Sequence, residues 1–131
     1  MDRAHYRLFL ERAEEFLSAA QTSLAQGHRH AAAANAVHAA IAAMDSVSVF
    51  HAGRRSTSDR HEDAVDLLSS LELPDADVRP RVRQFGRLLG LKTKAEYAEA
   101  SVTVRDAEDA VRTAERIVVW ARAHLPTSRE G

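Results

Sequence analysis

Residues 31–50 read AAAANAVHAAIAAMDSVSVF, and no other stretch of the chain is so uniformly apolar. Val37, Ile41, Met44 and Val47 recur inside it at helical spacing, among small residues. Alanine is the best helix former, so the run predicts a helix and not a flexible tract. Its methyl-sized positions let other helices approach the backbone closely, and the larger residues act as knobs. A helix apolar around most of its circumference is a buried one. The stretch therefore predicts the central helix of an all-α fold. A site is expected where that helix ends, or where its few polar groups, Asn35, His38 and Asp45, surface.

The rest of the composition fits this reading. With 131 residues the chain is read as one helical domain, 1–131, with an ordered core over about residues 3–125 and a polar tail at 126–131. The apolar fraction is 45% but only 5% is aromatic, so alanine, leucine and valine must build the core. Three prolines and five glycines are too few for a many-turned β fold. A formal net charge of −1 excludes the overall basic field of a DNA coater and leaves room for a local basic patch. The absence of cysteine excludes disulfides, a thiol nucleophile and zinc-thiolate ligation. The N-terminal MDRAHYRLFL lacks a signal-peptide core and no stretch reads as a membrane span, so a cytoplasmic protein is expected.

Flanking patterns supply four more helices, giving a four-to-five-helix up-down bundle. Over about residues 3–25, Phe9, Ala13, Phe16, Leu17, Ala20 and Leu24 form one stripe, and Gly27 ends the helix. The short GHRH connection predicts that the central helix, about residues 30–51, returns antiparallel. AGRRSTSDRH reads as a loop, with Ser58 or Asp59 capping a third helix that stops before Pro74. A fourth helix is expected from about Val78, with Pro80 in its first turn. Gly86 and Gly90 each lower its propensity by roughly 1 kcal/mol. Thr103 and Asp106 have capping-box spacing before a fifth helix, whose face carries Ala107, Ala110, Val111, Ala114, Ile117, Val118, Ala121 and Leu125.

The order of motifs is specific. V-H-A-A at residues 37–40 is followed by a basic loop, a histidine opening the next helix at His61, and K-T-K-A-E-Y at residues 92–97 ahead of a capped last helix. This resembles the HEPN domain family, named for higher eukaryotes and prokaryotes nucleotide-binding, over about residues 12–125. Members often carry an aromatic pair before Phe-His-Ala-Ala; Ala33 and Ala34 stand at those positions here. The resemblance implies a helical bundle that forms a homodimer and engages nucleotide or RNA. It also implies a possible toxin–antitoxin pairing with a nucleotidyltransferase partner. Active HEPN ribonucleases share an arginine, four to six residues, then a histidine late in the chain. The matching positions here are Lys92 and Tyr97. Lysine keeps the charge but not the guanidinium fork, and a phenol is a poor proton shuttle near neutral pH. Cleavage needs a base, an acid and a cation, and only the cation is well supplied. A binding module without nuclease activity is therefore expected; the alternative is a metal-independent ribonuclease with a rearranged site using Lys92, Tyr97, His61 and the loop arginines.

Candidate binding residues are Arg54, Arg55 and Arg60, which with Ser56, Thr57 and Ser58 precede a helix N-terminus and suit an anion. The competing reading is a solvated loop with a capping Ser or Asp. Arg54 and Arg55 also stand at nuclease-like spacing from His61, but in the wrong part of the chain. His38 reads as a core histidine, which the resemblance places near a cleft. Lys92, Lys94 and Tyr97 compete with an exposed charged turn. His28, His30 and His51 read as surface histidines, and no metal or cofactor is expected.

Overall fold

Gly27 makes the first reversal of the chain. In the computed structural model, which describes residues 2–55, 61–97 and 101–126, it takes φ +77°, a left-handed conformation that costs glycine nothing. The His28 amide donates to the Ser23 carbonyl (2.8 Å) and the Gly27 amide to Leu24 (3.0 Å), a Schellman closure of α1 (Tyr6–Ala25). The expected first helix begins three residues late. Arg3–His5 form a 3₁₀ turn instead, because the Asp2 carboxylate accepts from the Ala4 amide (2.9 Å) and caps it there. Phe9, Ala13, Leu17 and Ala20 are buried as their spacing predicts, whereas Phe16 stays exposed at the edge of the stripe.

The central helix is α2 (Arg29–Ala52), and it packs against α1 and all three later helices. Most of its residues are buried, including Asp45, Ser46 and Ser48. The Ser46 hydroxyl is satisfied by donating to the Ala43 carbonyl (2.6 Å). Gly53, at φ +69°, ends the helix by donating its amide to the Val49 carbonyl (2.9 Å). The expectation that no stretch reads as a membrane span needs correction. α2 is long and apolar enough, with a mean hydropathy of 1.3, but 72% of that window is buried inside the protein. Most of its apolar surface is already covered by other helices, as in the core helix of a bundle.

α3 (His61–Ser69), α4 (Asp75–Tyr97) and α5 (Val104–Ala123) complete the element order, and no strand occurs among the described residues. α4 starts earlier than its apolar pattern suggests, so Pro80 lies in the second turn, where it cannot donate to the Ala76 carbonyl. The Thr103 hydroxyl accepts from the Asp106 amide (3.0 Å) while the Asp106 carboxylate accepts from the Thr103 amide (3.1 Å), completing the expected capping box of α5. The anticipated caps of α3, Ser58 and Asp59, lie outside the described residues. α5 packs on both α1 and α2, and α4 crosses α2 and α5 with α3 beside it. Leu68, Phe85, Met44, Ile117 and Val118 meet at the centre with essentially no exposure. Each contributes about 1.5–3 kcal/mol through burial.

Candidate functional site in the cleft between α2 and α4

The methyl-sized residues that build the spine also open a cavity beside it. Ala33, Ala34 and Val37 on α2, with Leu91 on α4, form the apolar floor of a cleft of about 250 Å³. His30, His38 and Lys92 complete its lining, and no carboxylate among the described residues lines it. The two histidines are eight residues apart on one helix, about 12 Å along its axis. A larger side chain at residue 33 or 34 would fill the space.

His38 is the main departure from the expected arrangement. It is exposed at the cleft and not a core histidine, and its ring lies 5.2 Å from the Phe16 ring, tilted by 32°. The α1 crossing positions Phe16 against the His38 ring, so one exposed aromatic and one exposed imidazole lie together beside the cleft. His30, read as a surface histidine, stands at the other end of the same cleft. Helical position carries the signal that links them: residues eight apart on an α-helix point within roughly 80° of each other.

The structure brings His38 and Lys92 together and sends the other candidates elsewhere. Lys94 turns toward α5, where its ammonium pairs with Asp106 at 3.1 Å. The Thr103 amide, then this ammonium, hold the Asp106 carboxyl below the usual carboxylate range. Arg54 and Arg55 follow the far end of α2, beyond Ala52 and away from the cleft lining. Arg54 is exposed. Arg55 reaches back to Asp45 at 3.7 Å, an ion pair longer than a hydrogen bond, and its guanidinium lies 5.0 Å from the centre of the Phe9 ring. Burial pushes the Asp45 carboxyl up to about 6, against the opposing charges of Arg55 and Arg12. Arg55 is thus engaged in holding the loop to the core. Arg60, and the side chains of His61 and Tyr97, lie outside the described residues. Among the described residues, no three His, Cys, Asp or Glu side chains gather as a metal site.

Chemically, the cleft offers a flat apolar floor bordered by imidazoles and an ammonium. That combination suits a ring bearing negative charge nearby: the floor and the His38 imidazole offer apolar contact and stacking, and Lys92 offers charge.

Comparison with known proteins agrees with the fold. No curated protein matches the chain. A solved structure, TT1696 from Thermus thermophilus, is similar at 25% identity with a TM-score of 0.68, covering 95% of this chain and 100% of that one. The HEPN domain model matches residues 6–124, from the first residue of α1 to just past the end of α5. The resemblance carried by the V-H-A-A and K-T-K-A-E-Y segments is therefore a family relationship: this chain belongs to the HEPN domain family.

Proposed function

We propose that this HEPN chain is a cytoplasmic binding module, a homodimer that takes a nucleotide or RNA in the α2/α4 cleft and does not cleave it. The observation that carries this reading is the lining of the cleft: an apolar floor, two imidazoles and Lys92, with no carboxylate among the described residues to repel an anion. Alanines stand where relatives often carry an aromatic pair, and they leave room for a base to enter. Binding should raise the melting temperature, since a ligand at about 100 times its Kd stabilises by about 2.7 kcal/mol. A mononucleotide series in a thermal-shift measurement tests it directly. Stabilisation by at least one nucleotide, reduced in Lys92→Ala and in His38→Ala, is the expected result. No shift with any nucleotide or with short RNA would leave a structural or protein-pairing role, of which a nucleotidyltransferase partner is the form the family suggests.

One observation favours a second reading, a metal-independent ribonuclease. His38 and Lys92 place an imidazole and a cation together in one cleft, two of the three groups that such cleavage needs, while His30 stands about 12 Å away along α2. The late Lys92 and Tyr97 positions supply only the cation well, because a phenol is a weak proton carrier near neutral pH. Structured RNA incubated without metal should remain intact if the binding reading is right. Cleavage by the wild type that disappears in His38→Ala, or in His61→Ala, would replace it.

A further inference from the structure

A second groove, between α4 and α5, adjoins the cleft and shares one wall with it, Leu91. It measures about 270 Å³ and is lined by Arg87, Arg112 and Arg116 with Thr113, Asp106 and Asp109. Both carboxylates are already engaged. Asp106 accepts from Lys94 and from the Thr103 amide, each at 3.1 Å, and Asp109 accepts from Arg112 at 2.9 Å. Arg87 and Arg116 are exposed and have no carboxylate partner among the described residues.

Positive charge accumulates around this groove. Arg81 on α4 lies near enough to Arg116 for the two charges to repel; its pKa is lowered first by burial and then by Arg116, while Asp77 opposes the shift. The Arg81 Nε is buried with no hydrogen-bond partner. Arg79 and Arg83 precede Arg87 at four-residue spacing on a neighbouring side of α4, where they line a separate depression with Ser69. Gly86 and Gly90 lie on that side, and outside the adjacent helix backbone no heavy atom stands within 4 Å of where either would carry a Cβ. A polyanion can therefore lie close to the helix between the arginines. Guanidinium forks match phosphate oxygens, and like charges held together gain from an anion that compensates them.

We propose that the α4/α5 groove is a phosphodiester subsite, in which Arg87 and Arg116 hold the backbone of a single-stranded RNA whose base enters the α2/α4 cleft. The inference rests on the nucleotide reading of the cleft and adds the polymer to it. An unpaired strand fits because only an unstacked base can leave its neighbours to enter a cleft of this size. A second copy of this chain fits poorly, since α4 would then face α4 with arginines on both sides.

Fluorescence anisotropy with a short labelled single-stranded RNA, followed over a range of salt concentrations, tests the assignment. Each single-strand phosphate contact contributes about 0.7 to the slope of log K against log salt. The Arg87→Gln/Arg116→Gln variant should reduce that slope by about 1.4 for two lost contacts, and Arg87→Lys/Arg116→Lys should retain most of it. Ala34→Phe, which fills the cleft, should weaken binding and leave the slope as it is. A wild-type slope in the glutamine variant, with its helical circular dichroism intact, overturns the groove assignment. An Ala34→Phe protein that binds as tightly as wild type overturns the cleft reading instead. RNA that fails to bind wild type at low salt overturns both.

Discussion

Asp45 is the residue whose chemistry departs furthest from its sequence context. It sits on the buried side of α2, with Arg55 as its ion-pair partner and Arg12 contributing at longer range. Its pKa of about 6 in the fold, against 3.8 for an ordinary aspartate, means that the folded chain holds a proton where the unfolded chain has lost it. Stability from this group is fully present below about pH 3.8 and is lost as pH rises through about 6. A rise of that size corresponds to about 3 kcal/mol. Asp45→Asn cannot titrate, so its stability should be flatter over that window. Urea unfolding of both proteins at intervals between about pH 4 and pH 7 reads the difference. Parallel curves would show that Arg55 compensates the buried charge in full. Nothing in the local sequence marks Asp45 in this way, because its desolvation comes from α1 and from the loop that returns Arg55 over Phe9. His38 shows the same limit. Its neighbours in sequence are apolar, yet the crossing of α1 leaves it exposed beside Phe16.

At the scale of elements, local signals were most legible where one residue or one short motif decides the geometry. Gly27, the Thr103–Asp106 box and the stripe of α5 appear where their chemistry requires. The start of α4 was less legible, since Asp75 and Ala76 continue the helix ahead of Pro80 without any apolar pattern to announce it. The cleft was half legible. Lys92 and His38 were candidates from the family motifs, but their meeting depends on how α4 crosses α2, and that is a tertiary fact. The glycines offer a test of opposite signs. Gly27→Ala places a side chain at φ +77° and should destabilise by about 1–2 kcal/mol. Gly90→Ala adds a Cβ into open space within a helix and should stabilise by up to about 1 kcal/mol. Chemical denaturation of the two variants distinguishes a turn that needs glycine from a helix face that merely tolerates it. Equal effects would mean that α4 is bent or frayed at Gly90.

Over the whole molecule, near-neutral charge conceals a strong asymmetry. α4 carries four arginines and two lysines against three acids, whereas α3 carries three acids and neither lysine nor arginine. A bundle so divided favours association that keeps the basic side of α4 away from itself. Large apolar side chains remain exposed on the other helices: Leu8 and Phe16 on α1, Val104 and Val119 on α5, the last at 60%. α1 and α5 pack against each other, so these positions belong to adjoining helices. A stable interface needs about 800 Å² from each partner, so one built on these side chains would extend over the surrounding faces of both helices. The pairing proposed above is therefore expected to use α1 and α5 and to leave α4 free for its anionic ligand. Light scattering on purified protein at micromolar concentration should give twice the 14.4 kDa chain mass. Leu8→Glu and Val119→Glu each place a charge on that surface, and at least one should return the mass to that of a single chain. A monomeric wild type would remove the dimer. A dimer that survives both substitutions would move the interface to another face, and the arginines of α4 would then have to find acidic partners across the two-fold axis.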